Sequence, residues 1–193
     1  MEQLQRAQME AAISAVRQAN QGDLVIAAYG SLPDRPEAGM EAVSRAMLPG
    51  FRKSMCVRVA SCRGSPDAPG LVAGLIPEAG SAAMAMLMQA ADPTDPILAQ
   101  RLSLRELNGK AYTPLVVHLD LPDGSARLAL GFAAEVWHCD FWTGPAEVAA
   151  GLIAKASGEC GANEAYLDAV VAFERRVFGA VTPELDAIQR ALR

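Results

Sequence analysis

The spacing of apolar residues predicts a helix and then a strand at the N-terminal end of the chain. Between residues 3 and 20, apolar side chains recur at intervals of three and four positions, the pattern of one buried helix face: Met9, Ala12, Ile13 and Val16. Residues 24–28 form a short, uninterrupted apolar run with β-branched residues in its middle. Such a run is typical of a strand covered on both faces, so we expect it inside the core.

Further apolar runs predict two hairpins in the middle of the chain. Residues 51–60 alternate between apolar and polar positions, as in a half-buried strand. Two apolar runs, 71–76 and 81–89, are separated by a Pro-Glu-Ala-Gly turn and predict the first hairpin. Residues 112–120 and 126–136 flank a turn that contains Pro-Asp-Gly and predict the second hairpin.

Helices are predicted for most of the remaining chain. Asp95-Pro96 is a typical helix start, and Asn108-Gly109 is a typical helix end. Further helices are predicted over residues 40–48, 144–156, 163–178 and 183–192, the third of them capped by Asn163. Strands linked by hairpins, with helices towards both ends, favour an α+β fold over a doubly wound parallel sheet.

Charge and hydropathy exclude several classes of partner. The 193-residue chain has a formal net charge of −5 and no long basic run, so nucleic acid is not expected to bind. The longest charge-free apolar run, residues 79–91, is shorter than the ~20 residues that a membrane-spanning helix needs. The N-terminus has no signal-peptide core, so we expect a cytoplasmic protein without a membrane partner. We divide it into a helical arm, residues 1–21, and one domain, residues 22–193.

The cysteines and histidines lack the spacing of a metal site. No two cysteines form a C-x-x-C pair, and we interpret all four as buried, reduced thiols: Cys56, Cys62, Cys139 and Cys160. His118 and His138 are two isolated histidines without metal-ligand spacing. We therefore expect no metal site.

Two stretches carry candidate chemistry. The first strand runs into Tyr29-Gly30-Ser31-Leu32, where Gly30 permits a positive φ or a close approach of the backbone, and successive N–H groups can bind an anion. Glu106 falls in the last turn of a predicted helix, where the helix dipole disfavours an ionised carboxylate, as suits a proton-transfer group. Its neighbour Arg105 is expected on a different side of the helix. The purely structural alternatives are that the first stretch is only a tight turn after a core strand and that Glu106 is only an exposed surface residue.

Five motifs, taken in order, resemble the ChaC-like gamma-glutamylcyclotransferases. Each motif alone is unspecific, but their order and separation over residues 24–179 identify the resemblance. They are Tyr29-Gly30-Ser31-Leu32; Gly50-Phe51; Arg63-Gly64 with Pro66, Pro69 and Gly70; Arg105-Glu106 followed by Gly109 and Tyr112; and Asn163-Glu164-Ala165-Tyr166-Leu167.

The resemblance implies a small mixed β-barrel with surrounding helices, to which the N-terminal helix is an addition. It implies an enzyme that needs no cofactor and cyclises the γ-glutamyl group of a small molecule, typically glutathione, to 5-oxoproline with release of Cys-Gly. Glu106 matches the general acid/base. The turn from Tyr29 to Leu32 matches the segment that holds the γ-glutamyl head. The implied site also includes Arg63, Tyr112 and Tyr166, and either the turn or Tyr112 could donate to the developing oxyanion.

Departures from the family pattern keep other functions open. Cys62 stands where the family often has histidine, Pro33-Asp34 stands where a tryptophan is usual, and residues 81–89 are rich in Ala and Met. A different γ-glutamyl amine or dipeptide is therefore an alternative substrate, with an apolar leaving group if residues 84–88 line the pocket. A non-catalytic binding protein on the same barrel would need Glu106 outside the pocket. A hydrolase built on Ser31 lacks the G-x-S-x-G elbow. The pattern predicts no oligomeric state.

Overall fold

A closed β-barrel lies at the centre of the computed structural model, which describes residues 2–107 and 111–193. The described elements are, in chain order, α1 (Glu2–Ala19), β1 (Val25–Ala28), β2 (Met40–Val59), β3 (Gly70–Ala90), α2 (Leu98–Glu106), β4 (Tyr112–Asp120), β5 (Ala126–Ala134), α3 (Ala146–Lys155), β6 (Ser157–Gly158), β7 (Gly161–Ala162), α4 (Asn163–Phe178) and α5 (Pro183–Ala191). The barrel order is β1-β3-β2-β4-β5, and β6 pairs only with β7. The predicted α+β class and mixed barrel are confirmed.

The short strand β1 lies in the core, as its apolar run predicts. All four of its residues are buried. The strand pairs antiparallel with β3, where Ile26 faces Met88, and parallel with β5, where Ile26 faces Leu130. This parallel pairing closes the barrel and makes the sheet mixed. The C-terminal end of β1 therefore lies between β3 and β5.

The strands β2 and β3 correct two predictions. The predicted hairpin of 71–76 with 81–89 is wrong, because both runs belong to β3 and both pair with β2. The register moves from Pro49–Ala82 to Phe51–Pro77, so the turn-like residues 78–81 form an irregularity within one long strand. The predicted helix over residues 40–48 is also wrong, since these residues pair with the second half of β3. This pairing outweighs a weak local helix preference.

Helix α1 packs on the barrel through the predicted apolar face. Met9, Ala12, Ile13 and Val16 are buried. Near the helix start, the Gln5 side chain donates a 2.9 Å hydrogen bond to the main-chain oxygen of Tyr112. The domain boundary at residues 21 and 22 stays a prediction. None of the described helices has the length and apolar character that crossing a membrane requires.

The start of α4 is fixed by Asn163 in a way that differs from the predicted cap. Ala162 occupies the N-cap position. The fully buried Asn163 side chain instead pairs with the main chain of Leu71, accepting from its N–H at 2.7 Å and donating to its carbonyl at 2.7 Å. The amide thus takes the place of a strand partner beside β3 and ties α4 to the barrel.

The cysteines differ from the prediction of buried, reduced thiols. Cys62 and Cys160 form a disulfide across 98 positions of the chain. Cys56 is a buried free thiol, as predicted, whereas Cys139 is free but exposed. Main-chain bonds support the disulfide, since the N–H of Cys160 donates to the carbonyl of Cys62 at 2.7 Å. The loop after β2 is therefore fastened to the turn between β6 and β7.

Candidate active site

A cavity of about 470 Å³ lies where β1 ends, a volume within the usual range for small-molecule sites. Its lining comes from the turn after β1, the loop after β2, the C-terminal end of α2, the start of β4 and the first turns of α4. All residues predicted for the site border it: Tyr29, Gly30, Ser31, Leu32, Arg63, Glu106, Tyr112 and Tyr166. The fold thus brings together motifs that are far apart in sequence; the role of each residue stays a prediction.

The turn after β1 is held by hydrogen bonds at both of its ends. The buried hydroxyl of Tyr29 donates to the carbonyl of Phe132 on β5 at 2.5 Å. The N–H of Arg35 donates to the carbonyl of Ser31 at 2.9 Å. Gly30 does not adopt the positive φ that a glycine permits. Its lack of a side chain matters for packing, because a Cβ there would lie 3.3 Å from the Tyr166 hydroxyl.

The three tyrosines of the chain all border the cavity with neutral hydroxyl groups. Burial raises the pKa of Tyr29 and Tyr112 well above the ordinary value, and it raises the pKa of Tyr166 to about 12. Tyr112 donates its hydrogen to the carbonyl of Ala73 at 2.5 Å. Tyr166 accepts from the N–H of Ala73 at 3.2 Å, and its own hydrogen has no acceptor among the described residues. Tyr166 is therefore better placed than Tyr112 to donate to a ligand.

The end of α2 places Glu106 on the cavity, and Arg105 lies beside it. The helix begins at Leu98, three residues after Asp95, and its predicted end at Asn108-Gly109 lies outside the described residues. The Nε atom of Arg105 lies 3.1 Å from the Oε1 atom of Glu106. Arg105 also lines the cavity, so its expected position on a different side of the helix is wrong. Its long side chain folds back to reach the neighbouring carboxylate.

Arg105 also links Glu106 to the turn after β1. Its Nη2 atom donates to the Ser31 hydroxyl at 3.5 Å, and its Nη1 atom lies 3.9 Å from a carboxylate oxygen of Glu37. Glu37 in turn pairs with Arg101 at 3.2 Å. Because Glu106 lies on the cavity wall, the requirement of the binding-protein alternative, a glutamate outside the pocket, is not met.

The loop after β2 packs so closely that two of its positions have room only for glycine. A Cβ on Gly64 would lie 2.2 Å from the Gly70 nitrogen, and a Cβ on Gly70 would lie 2.1 Å from the Arg63 oxygen. This contact places Arg63, which is only 8% exposed. Its guanidinium donates to the carbonyl of Ala162 at 3.3 Å and lies over the Tyr166 ring, 5.7 Å from the ring centre.

Several cavity residues were missed by sequence reasoning. Arg35 and Glu37 lie three and five residues after Leu32. Charged residues in a loop at a strand end were the available signal. Cys160 is held at the cavity by its disulfide with Cys62, and Phe132 is held there by the barrel strand β5. Neither position has a local sequence signal. The condition set for an apolar leaving group is not met, since none of residues 84–88 borders the cavity.

One described group of side chains has metal-ligand chemistry but lies elsewhere. His138, Cys139 and Asp140 place their ligand atoms within 4.8 Å of one another, outside the cavity lining. The Nδ1 atom of His138 accepts the main-chain N–H of Asp140 at 3.1 Å. This bond makes the Nδ1 atom of His138 part of a tight main-chain turn.

Comparison with known proteins identifies the family from the sequence and finds the same fold among solved structures. The family described as ChaC-like protein matches residues 24–192. The glutathione-specific gamma-glutamylcyclotransferase of Escherichia coli (strain K12) is 32% identical over 167 residues, which are 84% of this chain and 70% of that protein. A crystal structure of the yeast gamma-glutamylcyclotransferase specific to glutathione superposes with a TM-score of 0.75 at 18% identity, covering 88% of this chain and 95% of the yeast chain. A further gamma-glutamyl cyclotransferase has a TM-score of 0.55 at 12% identity, covering 87% and 98%. These structures share the fold.

Proposed function

Because the chain belongs to the ChaC-like family, we propose that it is a gamma-glutamylcyclotransferase that converts glutathione to 5-oxoproline and Cys-Gly. The observation that supports this most directly is the placement of Glu106 on the same cavity as the turn from Tyr29 to Leu32. A carboxylate that can move a proton and a turn that can hold an anion are the two parts that this chemistry needs. The cavity brings them together although they come from separate elements.

In the proposed reaction, Glu106 carries the proton. The attacking α-amine is an ammonium in solution and must lose a proton before its nitrogen can attack the γ-carbonyl. Glu106 accepts this proton and returns it to the leaving nitrogen as the bond between that nitrogen and the γ-carbon breaks, a role typically worth ~10²–10⁴-fold in rate. The second proton, which the ring nitrogen loses after its attack, leaves with the amine of Cys-Gly. Arg105 holds one carboxylate oxygen of Glu106 at 3.1 Å and so fixes the position of the base. The ring closure is intramolecular, so a cavity that folds the glutamyl group into its reactive shape supplies much of the remaining acceleration.

The turn and Tyr166 bind the charges of the reacting group. The substrate α-carboxylate lies against the main-chain N–H groups of the turn from Tyr29 to Leu32. The carbonyl oxygen gains negative charge as the ring closes, and the Tyr166 hydroxyl donates to it. Because burial holds the pKa of Tyr166 near 12, this hydroxyl keeps its hydrogen at neutral pH.

The test of this function is the Glu106→Gln variant. The substitution keeps the shape of the side chain and removes the titrating proton, so we expect kcat for 5-oxoproline release from glutathione to fall at least ~10²-fold. Glu164→Gln, the same change at an exposed position of α4, is the matched control and should keep normal turnover. Thermal melts check that both variants fold. Near-normal turnover in folded Glu106→Gln would remove this residue from the mechanism.

The wild-type assay tests the reaction and its substrate class. We expect 5-oxoproline release without added metal or nucleotide and no inhibition by a chelator. A panel of γ-glutamyl amides and dipeptides, run beside glutathione, tests the alternative substrates. If no member of the panel yields 5-oxoproline, the protein is not this enzyme. We place the reaction in the cytoplasm, where glutathione sets the thiol balance, and cell fractionation tests this location.

A further inference from the structure

We infer that Arg35 and Arg63 form a subsite for a second carboxylate of the substrate, the terminal carboxylate of the leaving peptide. The enzyme would then select γ-glutamyl peptides over γ-glutamyl amines that lack this group. The inference deepens the proposed function and rests on it. It starts from an excess of positive charge on one part of the cavity wall.

Arg63 is a buried cation without an acidic partner among the described residues. It is 8% exposed and borders the cavity. Its described contacts are the carbonyl of Ala162 and the ring of Tyr166, neither of which carries a negative charge. Burial lowers the pKa of Arg63, and the nearby charge of Arg35 lowers it further. A buried charge is costly unless it is paired, so this position favours an anion from outside the chain.

Arg35 adds a second cation at the exposed edge of the same cavity. Its main chain is fixed by the bond to Ser31 that closes the turn, and its side chain borders the cavity. No acidic side chain lies within ion-pair distance of it among the described residues. The acids nearby in sequence are engaged elsewhere: Asp34 pairs with Arg176 at 3.1 Å, and Glu37 pairs with Arg101 at 3.2 Å.

The third arginine on the cavity differs from these two. Arg105 pairs with Glu106 at 3.1 Å and lies 3.9 Å from Glu37. The acidic side chains on the cavity wall, Glu106 and Glu37, are therefore close to arginines, whereas Arg35 and Arg63 have no acidic partner among the described residues. The turn of residues 29–32 can take the α-carboxylate of the γ-glutamyl head through its N–H groups. An additional anion of the substrate is needed to match the two remaining cations.

A γ-glutamyl peptide such as glutathione supplies that anion. The terminal carboxylate follows two residues after the reacting bond, and an extended dipeptide spans at most about 7 Å. A cavity of about 470 Å³ holds a tripeptide of this size. Guanidinium groups suit carboxylates because two parallel N–H groups can donate to the two oxygens. Both ends of the substrate are then fixed while the γ-carbonyl lies between them.

The experiment compares glutathione with its glycine carboxamide, which has the same shape but lacks the terminal charge. We expect the wild-type kcat/KM for glutathione to exceed that for the amide by about 10- to 100-fold, the range for a hydrogen bond to a charged group. Arg35→Gln should reduce this preference about 10-fold by lowering kcat/KM for glutathione while leaving that for the amide nearly unchanged. Arg35→Lys keeps the charge and should keep most of the preference.

Arg6→Gln, at an exposed position of α1 away from the cavity, removes the same charge and is the matched control. It should leave the preference unchanged. Equal kcat/KM for glutathione and the amide in the wild type would overturn the subsite, as would an equal loss for both substrates in Arg35→Gln. Either result would leave the cyclisation itself standing. If neither substrate yields 5-oxoproline in the wild type, the proposed function fails and the subsite inference fails with it.

Discussion

The disulfide between Cys62 and Cys160 should contribute a large share of the folding stability. It closes a loop of 98 positions. In the chain-entropy treatment, a cross-link across about 100 residues stabilises the folded state by about 4.7 kcal/mol, mainly by restricting the unfolded chain. Domains are usually stable by about 5–15 kcal/mol in total. We therefore expect reduction, or the double substitution Cys62→Ala with Cys160→Ala, to remove about 4 kcal/mol from the free energy of unfolding.

The same bond should affect substrate affinity more than turnover. Both cysteines border the cavity, and the bond fastens the loop that carries Arg63 to the strand pair that ends at Ala162. Arg63 donates to the carbonyl of Ala162, so loosening this junction frees its side chain. Glu106 lies on α2, outside the fastened region. We expect KM for glutathione to rise on reduction, with a smaller change in kcat.

Thiol titration and urea unfolding measure these effects. The protein prepared in air should show two reactive thiols in denaturant, and all four after reduction. Urea curves with and without reductant give the change in the free energy of unfolding. Cys139→Ser, which removes an exposed free thiol, is the control and should leave the curve unchanged. Four thiols before reduction, or identical stability with and without reductant, would refute the reasoning.

Three further predictions concern the core and the cavity. Lys53→Met should cost about 3–5 kcal/mol, because it leaves the Glu174 carboxylate buried without its partner at 2.6 Å, and adding Glu174→Leu should restore most of the loss in a urea melt. At pH 10.0, the ordinary pKa of tyrosine, absorbance should show no phenolate while the protein is folded, because all three tyrosines have a raised pKa. Above that pH the unfolded chain loses protons that the folded state keeps, so stability should fall as the pH rises; phenolate formation with an intact fold at pH 10.0 would contradict this. Gly30→Val should raise KM sharply, because a Cβ there lies 3.3 Å from the Tyr166 hydroxyl, whereas Ser31→Ala should be mild; kinetics in which Ser31→Ala matches the loss of the general base would revive the hydrolase alternative.

Local sequence patterns correctly predicted the elements that bury a continuous apolar face or run. The apolar face of α1 and the run of β1 identified buried elements, because amphipathic periodicity directly reflects which side is covered. The segment 40–48 was mispredicted because its strand is stabilised by pairing with residues of β3 that lie 35 to 50 positions later, from Leu48 with Ala83 to Met40 with Ala90. Gly80 has a positive φ of 82°, but it bends a continuous strand and does not end one.

Residues that border the cavity were predicted where a local motif suggests chemistry, and they were missed where only the fold brings a residue to the cavity. The turn from Tyr29 to Leu32 and Glu106 could be read from residue type and position in an element. The disulfide could not, because Cys160 lies 98 positions from Cys62 and neither has a local signal. Arg105 was misplaced for a related reason. The Cβ atoms of adjacent helical residues point to different sides of the helix. A long side chain such as that of arginine can nevertheless bend back and place its guanidinium against the carboxylate of the neighbouring residue.

In the proposed mechanism, the parts that would bind substrate are separate from the glutamate that would move the proton, and two junctions connect them. Tyr112 donates to the carbonyl of Ala73 and Tyr166 accepts from the N–H of Ala73, so a single residue of β3 fixes both β4 and α4 relative to the barrel. Arg105 reaches the turn through Ser31 and the base through Glu106. Because the barrel junction is buried and the arginine junction is partly exposed, the binding wall is held rigidly while the base is held by charge. Salt should therefore weaken the second junction far more than the first.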